Sequence, residues 1–306
     1  MVQEMKPPIS NVFVILNPVA GTSDPALVRA EIENRLRIHG GKYRIYETTG
    51  QENVREVVKD ALQQGYQLFW AAGGDGTVSA VANGLIKRGI PMGIIPLGSG
   101  NILAKELDIP LDLNAACDLL VGAHDTRVLD ALRVGEDYFV LAVSAGISAF
   151  TMAETARQQK RRFGQLAYML NGARIILSKS LWPFRISIDG KPFLVRASDV
   201  IAANAGAIGY KPIRWGNQVR PDDGKVDLCY VRVMSIPGFL SLIGGMLLGR
   251  QDHLEELTCN SASEFIEIHS RRRLPVQGDG EEIGYTPVRI EVIANSLRVI
   301  TPRKEE

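Results

Sequence analysis

The sequence lacks the cysteine pattern of a metal-bound, redox-active or disulfide-stapled protein. It has three cysteines in 306 residues, and Cys117, Cys229 and Cys259 lie too far apart for the CxxC pairs of metal and redox sites. An odd number of widely separated cysteines favours reduced thiols. The first ten residues also lack the basic and apolar segments of a secretion signal. We therefore expect a cytoplasmic chain.

The sequence has no excess of either charge. Thirty-five Lys and Arg face 34 Asp and Glu, for a net charge of +1, so the bulk charge gives no reason to expect a nucleic-acid partner. The four histidines, His39, His124, His253 and His269, do not have the spacing of metal ligands.

Long apolar runs are also missing. The most apolar segment, residues 236–249, is shorter than the roughly 20 residues of a membrane-spanning helix, and it contains Pro237. A segment of this length could touch a bilayer but could not cross it. For Pro183, Phe184 and residues 239–248, burial inside the protein is the default expectation.

Two familiar nucleotide-binding signatures are absent. No GxxxxGK[ST] occurs, which excludes a P-loop, and Ser79 and Leu103 stand where GxGxxG would need its third glycine. If the chain binds a nucleotide, it uses a different loop.

An alternation of strands and helices is present in the first third. Residues 11–16 form an apolar run of strand length, and Asp24 followed by Pro25 is typical of a helix start. The apolar stripe of that helix consists of Val28, Ile32 and Leu36. Further strands are predicted at residues 43–46, 68–72 and 92–95. This alternation predicts an open, parallel α/β sheet, which binds ligands beyond the carboxyl ends of its strands.

The remainder is rich in strands. The predicted runs are residues 128–134, 138–143, 184–188, 193–203, 226–233 and 265–268. We predict a first domain at residues 1–125 and a mostly antiparallel β domain at residues 126–294, with residues 295–306 packing back onto the first. The basic residues Arg157, Lys160, Arg161 and Arg162 precede an amphipathic stretch. This stretch either contacts anionic headgroups or forms a solvated basic face.

Glycine-rich turns follow two of the predicted strands. In Gly73-Gly74-Asp75-Gly76-Thr77, glycines let backbone N–H groups turn toward an anion, and the following helix N-terminus adds positive potential. This pattern predicts a phosphate cradle, in which Asp75 orders the loop or meets a nucleotide-borne Mg²⁺. The alternative is a tight turn that needs glycine for its shape.

Two further motifs carry polar groups. In residues 96–101 (PLGSGN), Ser99 and Asn101 can donate to a phosphate or to the loop itself. In Asp279-Gly280-Glu281, a carboxylate held near a substrate hydroxyl could take its proton during phosphoryl transfer. A solvated hairpin turn is the alternative for this triplet.

Taken together, the motifs resemble one family. Residues 17–21 (NPVAG), 73–77, 96–101, Leu129-Asp130, 221–224 (PDDG) and 279–281 occur in the order seen in the diacylglycerol kinase and sphingosine kinase catalytic family, particularly its bacterial members. The resemblance implies a Rossmann-like, NAD-kinase-like α/β nucleotide domain followed by a β-sandwich. It implies an ATP-dependent lipid kinase that phosphorylates a lipid hydroxyl between the two domains.

The resemblance also assigns residues to roles. The ATP-binding positions would be Asn17, Pro18, Gly21, Thr48, Gly73, Gly74, Asp75, Gly76, Thr77, Ser79, Gly98, Ser99 and Asn101. Asp279 or Glu281 would be the catalytic base. Asp223, with the backbone carbonyls of Arg220 and Lys225, would hold a structural Mg²⁺, and Asp75 would approach the nucleotide's Mg²⁺.

On this resemblance we expect a diacylglycerol kinase that uses ATP and Mg²⁺ to make phosphatidic acid at a membrane surface. A homodimer is compatible with the sequence. Ile102 and Ala149 stand where the family commonly has acids, and Ser79-Ala80 replaces its usual asparagine-glutamate. The alternatives are a soluble-substrate kinase of the NAD kinase type and a nucleotide-binding regulator without turnover.

Overall fold

The computed structural model describes residues 11–39, 42–146, 181–208, 210–233 and 235–303. The chain divides into two compact units, one made of Met1–Val128 with Ser296–Glu306 and the other of Leu129–Asn295. The sequence-based boundary was residue 125. The basic and amphipathic stretch at residues 157–170 and the position of Ala149 lie outside the described residues.

The first unit contains an open parallel sheet. Its strands are β1 (Val12–Leu16), β2 (Tyr43–Glu47), β3 (Leu68–Gly73) and β4 (Pro91–Pro96). Its helices are α1 (Pro25–Ile38), α2 (Val54–Gln63), α3 (Asp75–Leu85), α4 (Ile102–Glu106) and α5 (Leu113–Val121). The strands lie in the order β2-β1-β3-β4 and all pair in parallel. The α/β architecture predicted for this part is confirmed.

Helix α1 begins where the sequence predicts. The Asp24 carboxylate accepts a hydrogen bond from the Ala26 amide at 2.9 Å, and Pro25 occupies the first helical position. An acceptor at the N-cap satisfies an amide that has no partner within the helix, and proline loses nothing there because its missing N–H would have been unpaired. The predicted stripe of Val28, Ile32 and Leu36 is buried, so it packs α1 against the sheet.

The second unit contains two large antiparallel sheets and a separate two-stranded sheet. Its strands are β5 (Asp125–Val134), β6 (Asp137–Phe139), β7 (Ala142–Gly146), β8 (Trp182–Ile188), β9 (Lys191–Ala197), β10 (Asp199–Ala203), β11 (Ala207–Ile208), β12 (Tyr210–Arg214), β13 (Val226–Val231), β14 (Leu257–Ala262), β15 (Phe265–Ser270), β16 (Pro275–Gly278), β17 (Glu281–Tyr285) and β18 (Val288–Thr301). One sheet has the order β14-β13-β10-β7-β16-β17, and the other contains β9-β8-β15-β18. Buried side chains of both sheets, among them Phe184, Val200 and Leu228, form one core. The predicted β-sandwich is confirmed.

Strand β18 contributes to both units. Its first part pairs antiparallel with β15 in the second unit. Its second part belongs to the first unit, where Arg298 and Val299 pair in parallel with Pro91 and Met92 of β4. Leu297, Val299 and Ile300 are buried there, so the end of the chain supplies part of the core of the first unit.

Two runs that the sequence predicted as single strands are interrupted. Residues 138–143 divide into β6 and β7, because the amides between them donate to a side chain instead of a neighbouring strand. Residues 193–203 divide at Ser198, where the chain passes from one sheet to the other. The Ser198 amide and hydroxyl both donate to the Val231 carbonyl, at 2.8 and 3.0 Å.

The apolar segment after β13 forms helix α6 (Ile236–Leu247), which begins at an N-cap serine, Ser235. Its Leu242 and Met246 are buried in a cluster with Ile201 and other residues of β10 and β13. The outer side is exposed, and so is Pro183, so burial was the wrong expectation for Pro183 and for part of residues 239–248. Phe184 is fully buried, as expected. None of the helices in the described ranges has the length and hydrophobicity needed to span a bilayer.

The cysteines differ from the expectation of reduced thiols. Cys229 of β13 and Cys259 of β14 are directly opposite each other in the strand register and form a disulfide. Their separation of 30 residues hides this pairing in the sequence, since it depends on which strands become neighbours. Cys117 of α5 is a free, buried thiol.

Candidate active site

Four loops leave the carboxyl ends of the neighbouring strands β2, β1, β3 and β4. The Thr48 amide donates to Leu16, the Asn17 amide to Ala72 and the Leu97 amide to Gly73, each at 2.9 Å. These bonds continue the sheet ladder by one step, so the loops begin side by side at one edge. The segments at Asn17, Gly73 and Gly98 therefore meet at this edge of the sheet.

The loops approach so closely that glycine is required at two positions. A Cβ atom on Gly98 would lie 2.7 Å from the Gly74 Cα atom. Gly21 has a φ of +71°, and a Cβ there would overlap the carbonyl oxygen of Leu97. Contacts this short exclude any other side chain without backbone movement. The loop after β3 therefore meets the loop after β4 at Gly74 and Gly98, and the loop after β1 meets the loop after β4 at Gly21.

The Asp75 carboxylate connects the loop after β3 to the turn after β4. It accepts hydrogen bonds from the amides of Asn101 at 2.9 Å and Ile102 at 2.6 Å. Burial raises the pKa of Asp75, while these two amides favour its charged form. Of the two roles predicted for Asp75, the ordering of the loops is the one that its contacts display.

Asn101 closes the turn on itself. Its backbone is left-handed with φ +50°, its side-chain oxygen accepts from the Gly98 amide at 2.9 Å, and its side-chain nitrogen donates to the Gly98 carbonyl at 2.7 Å. Of the two alternatives for this side chain, it therefore bonds to the loop itself. Ser99 between these residues is exposed, which leaves its hydroxyl accessible to a ligand.

The N-terminus of α3 points out of the same edge. Gly74 is its N-cap, and no side chain of the described residues caps it. Asn17 donates from its side chain to the Thr77 hydroxyl at 3.2 Å, which ties the loop after β1 to this helix end. Unpaired N–H groups and the helix dipole make such an end a binding site for an anion. Of the other predicted ATP-binding residues, Pro18 lies in the loop after β1 and Ser79 lies in the first turns of α3.

The predicted acids Asp279 and Glu281 occur in the hairpin between β16 and β17. Asp279 and Gly280 form the turn with positive φ values of +47° and +90°. The Asp279 carboxylate accepts from the amides of Val140, Leu141 and Ala142 at 2.9 to 3.0 Å. Glu281 begins β17 and is exposed. The structure therefore distinguishes them, with one acid held by three backbone amides and the other facing solvent.

Asn204 is a residue that the sequence reasoning missed. It is fully buried, and its side-chain nitrogen donates to the carbonyls of Asp130 and Val140, both at 2.9 Å. Its own amide donates to Leu141. Asn204 thus fixes the same short segment whose amides hold Asp279. The only signal in the sequence was a single asparagine directly after the apolar run that forms β10.

The Leu129-Asp130 pair also acquires a structural role. Asp130 is fully buried, and it accepts from the amides of Gly224 at 2.7 Å and Asn295 at 2.8 Å. Burial raises the pKa of Asp130, and the nearby charges of Asp223 and Asp222 raise it further. This carboxylate ties the PDDG turn to the start of the second unit.

The PDDG turn carries the residues predicted to hold a structural Mg²⁺. Asp223 accepts from the Lys225 amide at 3.0 Å, and Arg220 pairs with Asp222 at 3.4 Å. Carboxylate and carbonyl oxygens suit a hard cation, so the donor set fits Mg²⁺. Within the described ranges no cluster of three or more acidic, histidine or cysteine side chains could hold a metal. A cation at this turn would therefore depend on backbone carbonyls and water as well as Asp223.

Two family descriptions match successive parts of the chain. Residues 11–134 match the diacylglycerol kinase catalytic domain. Residues 141–301 match the YegS C-terminal NAD kinase beta sandwich-like domain. The two matches correspond to the α/β architecture and the β-sandwich described above.

Relatives and solved structures agree with these matches over most of the chain. A diacylglycerol kinase from Bacillus subtilis is 24% identical, with 95% of this chain and 96% of the relative covered. A protein named as a YegS-like lipid kinase from Pseudomonas aeruginosa is 29% identical over 82% of each. The crystal structure of a diacylglycerol kinase from Bacillus anthracis superposes with a TM-score of 0.78 at 25% identity, covering 95% of this chain and 96% of that one. The chain belongs to the diacylglycerol kinase and YegS-like family of lipid kinases.

Proposed function

We propose that the chain is an ATP-dependent diacylglycerol kinase, which transfers the γ-phosphate of ATP to the free hydroxyl of diacylglycerol and releases phosphatidic acid and ADP. Family membership supports the kinase class, and the names of several relatives support the lipid. The substrate would be met at the cytoplasmic surface of a membrane.

The observation that carries the proposal is the meeting of three loops at the N-terminus of α3. Glycine at positions 21 and 98 allows the loops to touch, and the Asp75 carboxylate locks two of them together. The exposed edge then presents backbone amides that bind an anionic group without a lysine. In a kinase of this family, the anion bound by these amides would be the polyphosphate of the nucleotide.

The second unit would supply the base. A carboxylate that accepts the hydroxyl proton as the oxygen attacks phosphorus is what phosphoryl transfer requires. Asp279 offers a fixed orientation and Glu281 an unhindered carboxylate, so we assign the role to this pair. Mg²⁺ carried by the nucleotide would supply neutralisation of phosphate charge, and Asp223 with the carbonyls of Arg220 and Lys225 would hold a second ion.

The test is transfer of label from γ-labelled ATP, with Mg²⁺, to lipid in mixed micelles. We expect labelled phosphatidic acid from diacylglycerol, and a loss of rate of about 10²-fold or more for whichever of Asp279→Asn and Glu281→Gln removes the base. No labelled lipid with diacylglycerol, a sphingoid base or a polyprenol would contradict the proposal. Phosphorylation of NAD with no lipid product would instead assign the chain to soluble substrates.

A further inference from the structure

Helix α6 has two apolar sides, and only one of them is covered. Leu242 and Met246 pack onto the six-stranded sheet. On the other side Ile236, Leu240 and Leu247 are exposed by 54, 63 and 47%, and Leu248 follows at the C-cap. At 3.6 residues per turn, positions 236, 240 and 247 fall within about 40° of one another. We call these four residues the outer stripe.

The outer stripe is an unusual concentration of exposed apolar surface. Four of the ten large apolar side chains exposed in the described part of the chain lie in these 13 residues. No charged residue occurs from Ser235 to Gly249. Single exposed leucines are ordinary, but a contiguous patch of them indicates an interaction surface.

Three arginines lie at the same end of the six-stranded sheet as the start of α6. Val231, which ends β13, pairs with Asp199, and Asp199 pairs with Gly146. The neighbouring Ala145 pairs with Val276 of β16. Three strand spacings of about 4.8 Å therefore separate the end of β13 from the start of β16, roughly 14 Å in all.

The residues just before β16 are Arg271, Arg272 and Arg273, all exposed. Arg273 stacks over the ring of Tyr285, with its guanidinium carbon 5.4 Å from the ring centroid. None of the three forms an ion pair with a residue in the described ranges. Arg250, Asp252, Glu255 and Glu256 follow α6, one basic residue against three acidic ones, so the flank of the helix brings no net positive charge. The attraction for an anion at this end of the sheet comes from the arginines.

We propose that the outer stripe and Arg271–Arg273 dock the protein onto an anionic lipid bilayer. A helix that lies flat with an apolar side enters the boundary between headgroups and acyl chains, and nearby arginines strengthen binding to acidic lipids. The choice of a bilayer as occupant rests on the proposed function, because a kinase of a membrane lipid must reach its substrate there. A second copy of the chain fits less well, since four side chains are far fewer than the about 20 to 30 residues per side of a stable interface.

The test is co-sedimentation of the full chain with vesicles of phosphatidylcholine, with or without phosphatidylglycerol. The stripe variant is Leu240→Ser with Leu247→Ser, and its matched control is Leu27→Ser with Ile38→Ser, both exposed on α1. The charge variant is Arg271→Gln with Arg272→Gln, and its control is Arg37→Gln with Arg88→Gln. Thermal unfolding of each variant verifies that it is folded.

We expect the stripe variant to bind both kinds of vesicle about tenfold or more weakly. The charge variant should lose at least about fivefold, and only on phosphatidylglycerol. Both controls should sediment like the wild type. A folded stripe variant that sediments like the wild type overturns the proposal. A wild-type dimer that the stripe variant converts to monomer also overturns it, by assigning the stripe to a second copy.

Activity on a water-soluble, short-chain diacylglycerol separates this inference from the proposed function. Retention of that activity by a stripe variant that has lost vesicle binding supports both. A wild type that binds vesicles through the stripe but phosphorylates no diacylglycerol supports the docking surface and contradicts the proposed function.

Discussion

Gly21 is the residue at which the contact between loops can be tested most directly. Gly21→Ala adds a methyl group that overlaps the Leu97 carbonyl, on a backbone with φ +71°. Gly65→Ala is the matched control, because Gly65 has φ +84° and nothing within 4 Å of its Cβ position. We expect both to lose about 1–2 kcal/mol of stability from the left-handed backbone.

Only Gly21→Ala should lose more than this and bind ATP more weakly, because only there must the loop move. Denaturant unfolding and calorimetric titration with ATP measure the two effects. Equal ATP affinity of the two variants would contradict the assignment of this edge to the nucleotide.

Asn204 allows a separate test of the second unit. Asn204→Ala leaves the buried carbonyls of Asp130 and Val140 without their donor, which costs about 1–3 kcal/mol. The released segment also holds Asp279, so we expect a lower kcat with an unchanged KM for ATP, and a shifted pH profile of kcat. Asn204→Asp keeps the size but places an acceptor against the two carbonyls, so it should be at least as damaging as alanine. A fall in stability alone, with kcat and its pH profile unchanged, would show that Asn204 does not position the acid.

At the scale of elements, the reactivity of the Cys117 thiol tests whether α5 is buried. Burial raises the pKa of the Cys117 thiol to about 12, so at pH 8 only about one molecule in ten thousand carries the reactive thiolate. We expect native protein, kept free of reductant, to resist alkylation at pH 8. Labelling should begin only at denaturant concentrations that open the first unit. Fast labelling of the native chain would contradict this packing of α5.

The elements with a local signal were predicted from the sequence, and those that depend on distant partners were not. Asp24 and Pro25 mark the start of α1, and the stripe of Val28, Ile32 and Leu36 marks its buried side. The disulfide between Cys229 and Cys259 depends on the register of β13 and β14, which no local pattern contains.

The same division applies to the site. The glycine turns were recognisable because glycine permits backbone conformations and close approaches that other residues do not. The division of residues 138–143 into β6 and β7 could not be predicted, because it is caused by the Asp279 carboxylate, which lies 137 to 139 positions away. The role of Asn204 could not be predicted for a similar reason, since its hydrogen-bond partners lie 64 and 74 positions away.

At the scale of the whole molecule, the second part of β18 contributes measurably to the stability of the first unit. Removing residues 296–303 takes the buried Leu297, Val299 and Ile300 out of the first unit. At about 1.5–3 kcal/mol per buried side chain, this loss is comparable with the about 5–15 kcal/mol that stabilises a typical domain. We expect the shortened chain to lose ATP binding and its Cys117 to become reactive at pH 8.

A chain that ends at Thr301 keeps the whole strand and is the matched control. It should behave like the full chain in both measurements. Normal ATP binding after removal of residues 296–303 would show that the first unit completes its fold without β18.

The return of β18 also determines the order of events during synthesis. A ribosome makes residues 296–301 after every other described strand of either unit, so β4 lacks this neighbour until all of those strands have been made. A nascent chain can complete an early domain only from segments already outside the exit tunnel. ATP capture should therefore begin only after the ribosome has made β18, although the glycine-rich loops that would bind the phosphates are made much earlier.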